Sequence, residues 1–210
     1  MALRAVIFDY GMVLTGPPAP EAWIAMQHIT GLDEKHLHDI YWGFRHLYDE
    51  GKLTGFTFWQ KISDDAGLNL TPSQLKELND LDAKMWTVEN PPMVAWQQQI
   101  RLRGLKTAIL SNMGDNIHDR MIKVFDWLPQ FDVLVWSYLL GIAKPDEAIY
   151  HHVLKELDMR PEEVLFLDDR APNIEAARAL GMHGHLFTTV ERLRADLVEQ
   201  GFDAELPLPG

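Results

Sequence analysis

Short runs of consecutive apolar residues recur along the chain, and four of the five end on a polar residue. Ala5–Phe8 stops at Asp9, Lys106–Leu110 at Ser111, Phe131–Trp136 at Ser137 and Glu163–Leu167 at Asp168, while His183–Phe187 is a weaker fifth. Continuous rather than alternating runs predict strands covered on both faces. Between them, helical patterns occupy Pro91–Arg103, Asp115–Trp127, Asp146–Leu157 and Asn173–Leu180. Strand alternating with helix predicts an α/β fold with a doubly wound parallel sheet, whose ligands bind beyond the carboxyl ends of the strands.

The stretch from Pro17 to about Asn90 breaks that alternation. Pro17, Pro18 and Pro20 mark the exit from the first strand. Helical patterns follow over Glu21–Thr30, Asp33–Tyr48, Thr57–Ala66 and Pro72–Trp86, the last opened by Thr71 with Gln74 three places on, a capping box. The pattern therefore predicts an all-helical insert at 17–90 between two pieces of one core domain, 1–16 and 91–210.

Composition narrows the function classes. The 210 residues carry 19 Lys and Arg against 31 Asp and Glu, a net charge of -12. Such a surface repels nucleic-acid phosphates and anionic membranes, so neither partner is expected. With no cysteine, disulfides, thiolate metal sites and a cysteine nucleophile are all excluded. No run approaches the ~20 apolar residues of a membrane span, and the short apolar N-terminal stretch meets Asp9 too soon for a signal sequence. A cytoplasmic protein is expected, with a homodimer left open.

The predicted strand ends bring together Asp9, Ser111-Asn112 and Asp168-Asp169, and the loop Gly141–Asp146 adds Lys144. Three carboxylates at one edge repel one another unless a cation sits among them. Only oxygen ligands are on offer, which favours a hard ion, Mg²⁺. Mg²⁺ with a carboxylate, a hydroxyl and a lysine suits phosphoryl groups. The nine histidines offer no competing metal site: His36 and His38, or His151 and His152, point to different sides of a helix.

The stretches FDYGMVL, AILSNMGDN, GIAKPDEAIY and VLFLDDRAPNIEAARALGM, in that order, resemble the haloacid dehalogenase superfamily, in particular its Mg²⁺-dependent phosphatase-like members with a helical cap after the first strand. The resemblance spans the whole chain. It implies hydrolysis of a small phosphorylated metabolite, such as a sugar phosphate. Asp9 would be the nucleophile that takes the phosphoryl group, Ser111 and Asn112 would bind phosphate oxygens, and Lys144 would bind both Asp9 and the phosphoryl group. Asp9, the Gly11 carbonyl and Asp169 would hold Mg²⁺, with Asp168 beside them and the order of the two acids open.

Gly11 departs from the family pattern, in which most phosphatases carry a second Asp that protonates the leaving oxygen and then activates water. Acid–base help of that kind contributes ~10²- to 10⁴-fold in rate. Three readings follow: a phosphatase whose leaving group needs little protonation or whose proton comes from water, substrate or cap; a non-catalytic phospho-ligand-binding or interaction protein; and a 2-haloacid dehalogenase. In the cap, Arg45 and His46 are candidate contacts to the leaving group, and His46 a candidate proton donor. Both could equally be solvated helix residues.

Overall fold

The computed structural model describes residues 3–208; the ends of the expected core segment, 1–2 and 209–210, lie outside the described residues. Its sheet has five parallel strands, β1 (Ala5–Phe8), β2 (Lys106–Ser111), β3 (Val133–Trp136), β4 (Val164–Asp168) and β5 (His183–Leu186), in the order β3-β2-β1-β4-β5. The chain runs outward from β1 through β2 to β3, then returns to β4 beside β1, so the direction of winding reverses at β1. Phe8 is level with Ile109 on β2 and Leu167 on β4. Asp9, Ser111 and Asp168 therefore leave the sheet at one edge, where strand order reverses and crevices form.

Both faces of the central strand are buried, as the continuous apolar run requires. Val6 and Phe8 join one cluster with Trp96, Met121 and Leu193, while Ala5 and Ile7 join another with Ile149, Tyr150 and Ile174. The first face is covered by α5 (Pro91–Leu102), α6 (Asp115–Val124) and α10 (Val190–Glu199), and the second by α8 (Glu147–Leu157) and α9 (Ala171–Ala179). Each large apolar side chain so buried contributes about 1.5–3 kcal/mol.

Four helices stand between β1 and α5: α1 (Pro20–Thr30), α2 (Glu34–Asp49), α3 (Gly55–Asp65) and α4 (Pro72–Met85). Their starts are written locally. Asp33 accepts the His36 N–H, and Thr54 and Thr71 make reciprocal capping boxes with Thr57 and Gln74. The inward stripe of α2 is Leu37, Tyr41, Arg45 and Tyr48, so a cation occupies an apolar position. The buried residues of these helices run without a break into the cluster on the first face of the sheet.

Several element ends differ from the sequence expectation. The helix expected over Asp115–Trp127 stops at Val124 because Phe125 is extended, and a short 3₁₀ turn, Leu128–Gln130, follows with Pro129 inside it. The helix expected from Asn173 starts at Ala171, with Pro172 in its first turn. The single-turn helix α7 (Ser137–Leu140), ended by left-handed Gly141, is too short to show a period. Helix α10, which the apolar pattern does not predict, opens on Thr189, whose hydroxyl oxygen accepts the Arg192 N–H.

Candidate active site

β1 delivers Asp9 to the sheet edge, where its N–H donates to the Leu167 carbonyl at 2.8 Å. The chain then makes one wide turn, Tyr10–Leu14, closed by the Thr15 N–H on the Tyr10 carbonyl at 3.0 Å. The turn aims the Tyr10 N–H back at Asp9 Oδ1, at 2.7 Å. Met12 takes the left-handed conformation, φ 62°, an uncommon backbone for a residue with a Cβ. Gly11 does not: its φ of -64° and ψ of 138° are open to any residue.

Lys144 enters from the loop after α7. The Asn112 side chain holds that loop, accepting the Lys144 N–H and donating to its carbonyl, both at 2.8 Å. Lys144 Nζ lies 2.8 Å from the Leu110 carbonyl, 2.7 Å from Asp168 Oδ2 and 3.0 Å from Asp9 Oδ1. Its three N–H bonds are thereby matched by three acceptors. Asp168 is fully enclosed and saturated: besides Lys144 it accepts the Arg170 N–H at 2.8 Å and both its oxygens accept Asn173 Nδ2, at 2.9 and 3.0 Å. Asp169 is the most open of the three acids.

Burial sets the electrostatics. It pushes the Asp9 carboxyl up from the ordinary 3.8 to about 8; Lys144 opposes the shift, while Asp168 and Asp169 add to it. Asp169 is raised for the same reasons, burial first and Asp168 next. Burial works against the Lys144 ammonium, but the attraction of Asp168 and Asp9 outweighs it and holds the ammonium above its usual range. Carboxylate oxygens of Asp9, Asp168 and Asp169 all lie within 4.8 Å of one another, with one lysine against three acids. A hard divalent cation fits this all-oxygen set and the charge it leaves uncompensated.

Asp9, Gly11, Ser111, Asn112, Lys144 and Asp169 line one inner cavity of about 110 Å³. The insert closes it with Trp42, Arg45, Asp49 and Trp86, and it opens into an outer cleft of about 780 Å³. The outer cleft is where His46 lies, exposed and away from the inner cavity.

Arg45 does reach the inner cavity, but it is only 6% exposed and its charge is already engaged. Nε donates to Asp49 Oδ1 at 2.7 Å, one terminal nitrogen meets the Tyr41 hydroxyl, and Asp82 Oδ1 lies 3.9 Å away. The rings of Tyr41, Trp42, Tyr48 and Trp86 surround the guanidinium at 5.4–5.7 Å. Asp49, Asp82 and Trp86 are the residues that sequence reasoning missed here. The signals were the i,i+4 spacing of Arg45 and Asp49, and an acid inside the apolar stripe Leu75, Leu78, Asp82, Met85.

A buried acid–lysine pair at the winding reversal of a parallel sheet, roofed by an inserted helix layer, marks an α/β enzyme. A family model of haloacid dehalogenase-like hydrolases matches residues 3–181, and the chain belongs to that family. It is 33% identical over 222 residues to mouse acyl-CoA dehydrogenase family member 10, covering 98% of this chain but 20% of that protein, so it spans about a fifth of that relative's length. A Mycobacterium tuberculosis phosphatase is 30% identical over 198 residues, covering 89% of this chain and 88% of that protein. Among solved structures, a HAD family enzyme of Bacteroides thetaiotaomicron superposes with a TM-score of 0.75 at 20% identity, covering 92% of this chain and 98% of that one. The same enzyme has been solved with magnesium and inorganic phosphate bound. No helix among the described residues is long and apolar enough to cross a membrane.

Proposed function

We propose that the protein is a Mg²⁺-dependent phosphatase acting on a small phosphorylated metabolite through an aspartyl-phosphate on Asp9. The observation that carries this reading is Lys144 Nζ at 3.0 Å from Asp9 Oδ1, inside a cluster of three acids. In a phosphatase that lysine neutralises the repulsion of one anion attacking another. Oδ1 is held by the Tyr10 N–H and Lys144, which makes Oδ2 the attacking oxygen. The bond from Oδ2 to phosphorus forms as the bond to the leaving oxygen breaks, and water later attacks the same phosphorus and returns the Asp9 carboxylate.

Ser111 is assigned to the phosphoryl oxygens by its hydroxyl and Lys144 by its charge, its three N–H bonds being matched already. Asn112, whose amide is spent on the Lys144 backbone, fixes the lysine loop instead. Asp9, Asp169 and the Gly11 carbonyl would hold Mg²⁺, and Asp168, with every oxygen contact already made, orients Lys144 from behind. Mg²⁺ bound there would supply positive charge to the phosphoryl oxygens. Residues 17–90 act as a cap over the core of 1–16 and 91–210, and the outer cleft receives the leaving group. No nucleic acid or membrane takes part in this reading. The mycobacterial relative, a phosphatase of similar length, and the magnesium and phosphate bound in the Bacteroides enzyme support it.

Phosphate release from a panel of sugar, nucleotide and acyl phosphates tests it, with wild type run beside Asp9→Asn. Turnover by wild type in Mg²⁺, lost in chelator and reduced ~10³-fold or more by Asp9→Asn, is expected for removal of a covalent nucleophile. Equal rates for the two proteins on every phosphate overturn the proposal, and halide release from 2-haloacids in chelator replaces it with dehalogenation.

A further inference from the structure

We propose that Asp49, carried over the site by α2, is the catalytic acid and base that passes protons to and from the reacting oxygens, in place of the side chain absent at Gly11. The inference rests on the phosphatase reading above. Gly11 offers no proton, and a Cβ built there would already lie 3.6 Å from the Trp86 ring, so an indole occupies the neighbouring space. The inner cavity is lined by three carboxylates, those of Asp9, Asp169 and Asp49. The first two are assigned to the nucleophile and the cation. The Tyr10 hydroxyl is committed to the Trp86 carbonyl at 2.7 Å, and His46 lies in the outer cleft. Asp49 is left as the proton carrier in the cavity that Asp9 also lines.

The insert is built to fix that one carboxylate. Asp82, fully enclosed, accepts from the Tyr41 hydroxyl at 2.8 Å; that hydroxyl meets Arg45, and Arg45 Nε holds Asp49 Oδ1. A buried ionic chain of this kind is a poor source of stability, because desolvation offsets most of its attraction. Its end is a carboxylate in the cavity of the nucleophile, which gives the chain a purpose that packing does not. Arg45 is accordingly a positioning residue rather than a substrate contact.

Asp49 is also tied to the core, not only to its own helix. Its backbone carbonyl accepts from Ser137 Oγ, and the same Oγ accepts the Met113 N–H at 3.0 Å, two residues beyond Ser111. Gly51 then turns at φ 68° against the Tyr138 carbonyl, where a Cβ would sit 2.4 Å from the oxygen. The loop that carries Ser111 and the turn that carries Asp49 are thus set against one common residue. Arg45 faces the Asp49 carboxylate from its own helix, Asp82 on α4 lies behind Arg45, and Lys144, Asp169 and Arg170 line the core side of the cavity. Glu50 and His46 flank it in the outer cleft.

In the first half-reaction the P–O bond to the leaving group breaks with its electron pair going to oxygen, and that oxygen takes the proton of the Asp49 carboxylic acid. The products are an alcohol, the aspartyl-phosphate and the Asp49 carboxylate. In the second, water gives a proton to that carboxylate as its oxygen bonds to phosphorus, and the bond to Asp9 breaks. Inorganic phosphate leaves and both side chains regain their starting forms.

The test is the leaving-group dependence of kcat/KM, measured in Mg²⁺ on p-nitrophenyl phosphate and on the best alkyl phosphate of the panel. An aryl oxide departs without a proton; an alkoxide needs one. Asp49→Asn, which keeps an oxygen for Arg45, should lower kcat/KM ~10²-fold or more on the alkyl phosphate and only a few-fold on the aryl one. Equal losses on both, or none, with wild-type activity intact overturn this inference and leave the phosphatase reading standing. Wild type without phosphatase activity overturns both. Thermal melts accompany each variant; should Asp49→Asn fail to fold, Asp49→Ser is read in the same way, and failure of both makes Asp49 structural and the inference wrong.

Discussion

Two buried ionic clusters face each other in this protein, and they are compensated differently. At the strand ends, Asp9, Asp168 and Asp169 surround one cation, Lys144. In the insert, Asp49 and Asp82 surround one cation, Arg45, and burial raises the Asp82 carboxyl toward its neutral form, with Arg45 and the Tyr41 hydroxyl opposing. The insert thus sets two acids beside one base. At the strand ends burial raises Asp9 and Asp169 in the same direction, but three acids there share a single lysine, an excess that a divalent cation would match. The excess of acids thus separates the strand ends, which call for a further cation, from the insert, whose guanidinium is also ringed by aromatic faces.

Breaking the insert's balance should have the largest effect on stability. Arg45→Met leaves Asp49 and Asp82 without their cation among apolar rings, and removing one partner of a buried pair costs about 3–5 kcal/mol. A fall of that size in urea or thermal unfolding is expected. Adding Asp49→Asn and Asp82→Leu to Arg45→Met should recover most of it, since replacing a whole buried ionic cluster by uncharged side chains is close to neutral. Unfolding of Arg45→Met at the wild-type midpoint would mean that the guanidinium is not what holds these helices.

The strand-end cluster should instead respond to pH and Mg²⁺. With Asp9 pushed up to about 8 by burial against 3.8 when unfolded, the folded chain binds that proton more tightly. Stability is therefore greatest below about pH 4 as far as Asp9 is concerned, and is lost as pH rises toward 8. A bound divalent cation favours the carboxylate and reverses this. Melts in chelator should show Asp9-linked stability falling between pH 5 and 8 in wild type relative to Asp9→Asn, and Mg²⁺ should raise Tm more at pH 8 than at pH 5. An equal gain at both pH values would mean that Asp9 does not bind the ion.

The same difference explains what the sequence revealed. The strand ends were legible because a doubly wound sheet fixes them by rule: an apolar run that stops on an acid places that acid at the ligand edge, and Asp9, Ser111 and Asp168 lie there by register alone. Lys144 was legible through its resemblance to a motif, and its reach to Asp9 needed the Asn112 hinge to be seen. The insert obeys no comparable rule. Its helices were found from spacing and caps, but the direction of Arg45 depends on how α2 and α4 cross, which puts Asp82 of one beside Arg45 of the other. Spacing therefore leaves Arg45 open between a substrate contact and a solvated helix residue, and gives no sign of Asp49 and Asp82 beside it. The wide turn at Tyr10–Leu14 was also invisible, because a single turn has no period.

Gly11→Asp is the smallest perturbation and the sharpest probe of how the two clusters share the site. Nothing in the backbone demands glycine at this position, where φ is -64°, and a Cβ would meet Trp86 at an ordinary contact distance of 3.6 Å. The fold should therefore tolerate the change, with stability within about 1 kcal/mol of wild type. The added carboxyl enters the inner cavity beside the Trp86 ring, where it becomes a second proton carrier. Alkyl phosphates should then turn over as fast as in wild type or faster, and Gly11→Asp should restore part of the alkyl activity that Asp49→Asn removes. A loss on every phosphate, aryl and alkyl alike, would show that the substrate itself needs the part of the inner cavity that the added carboxyl fills, and the strand-end cluster would then need that space more than it needs another acid.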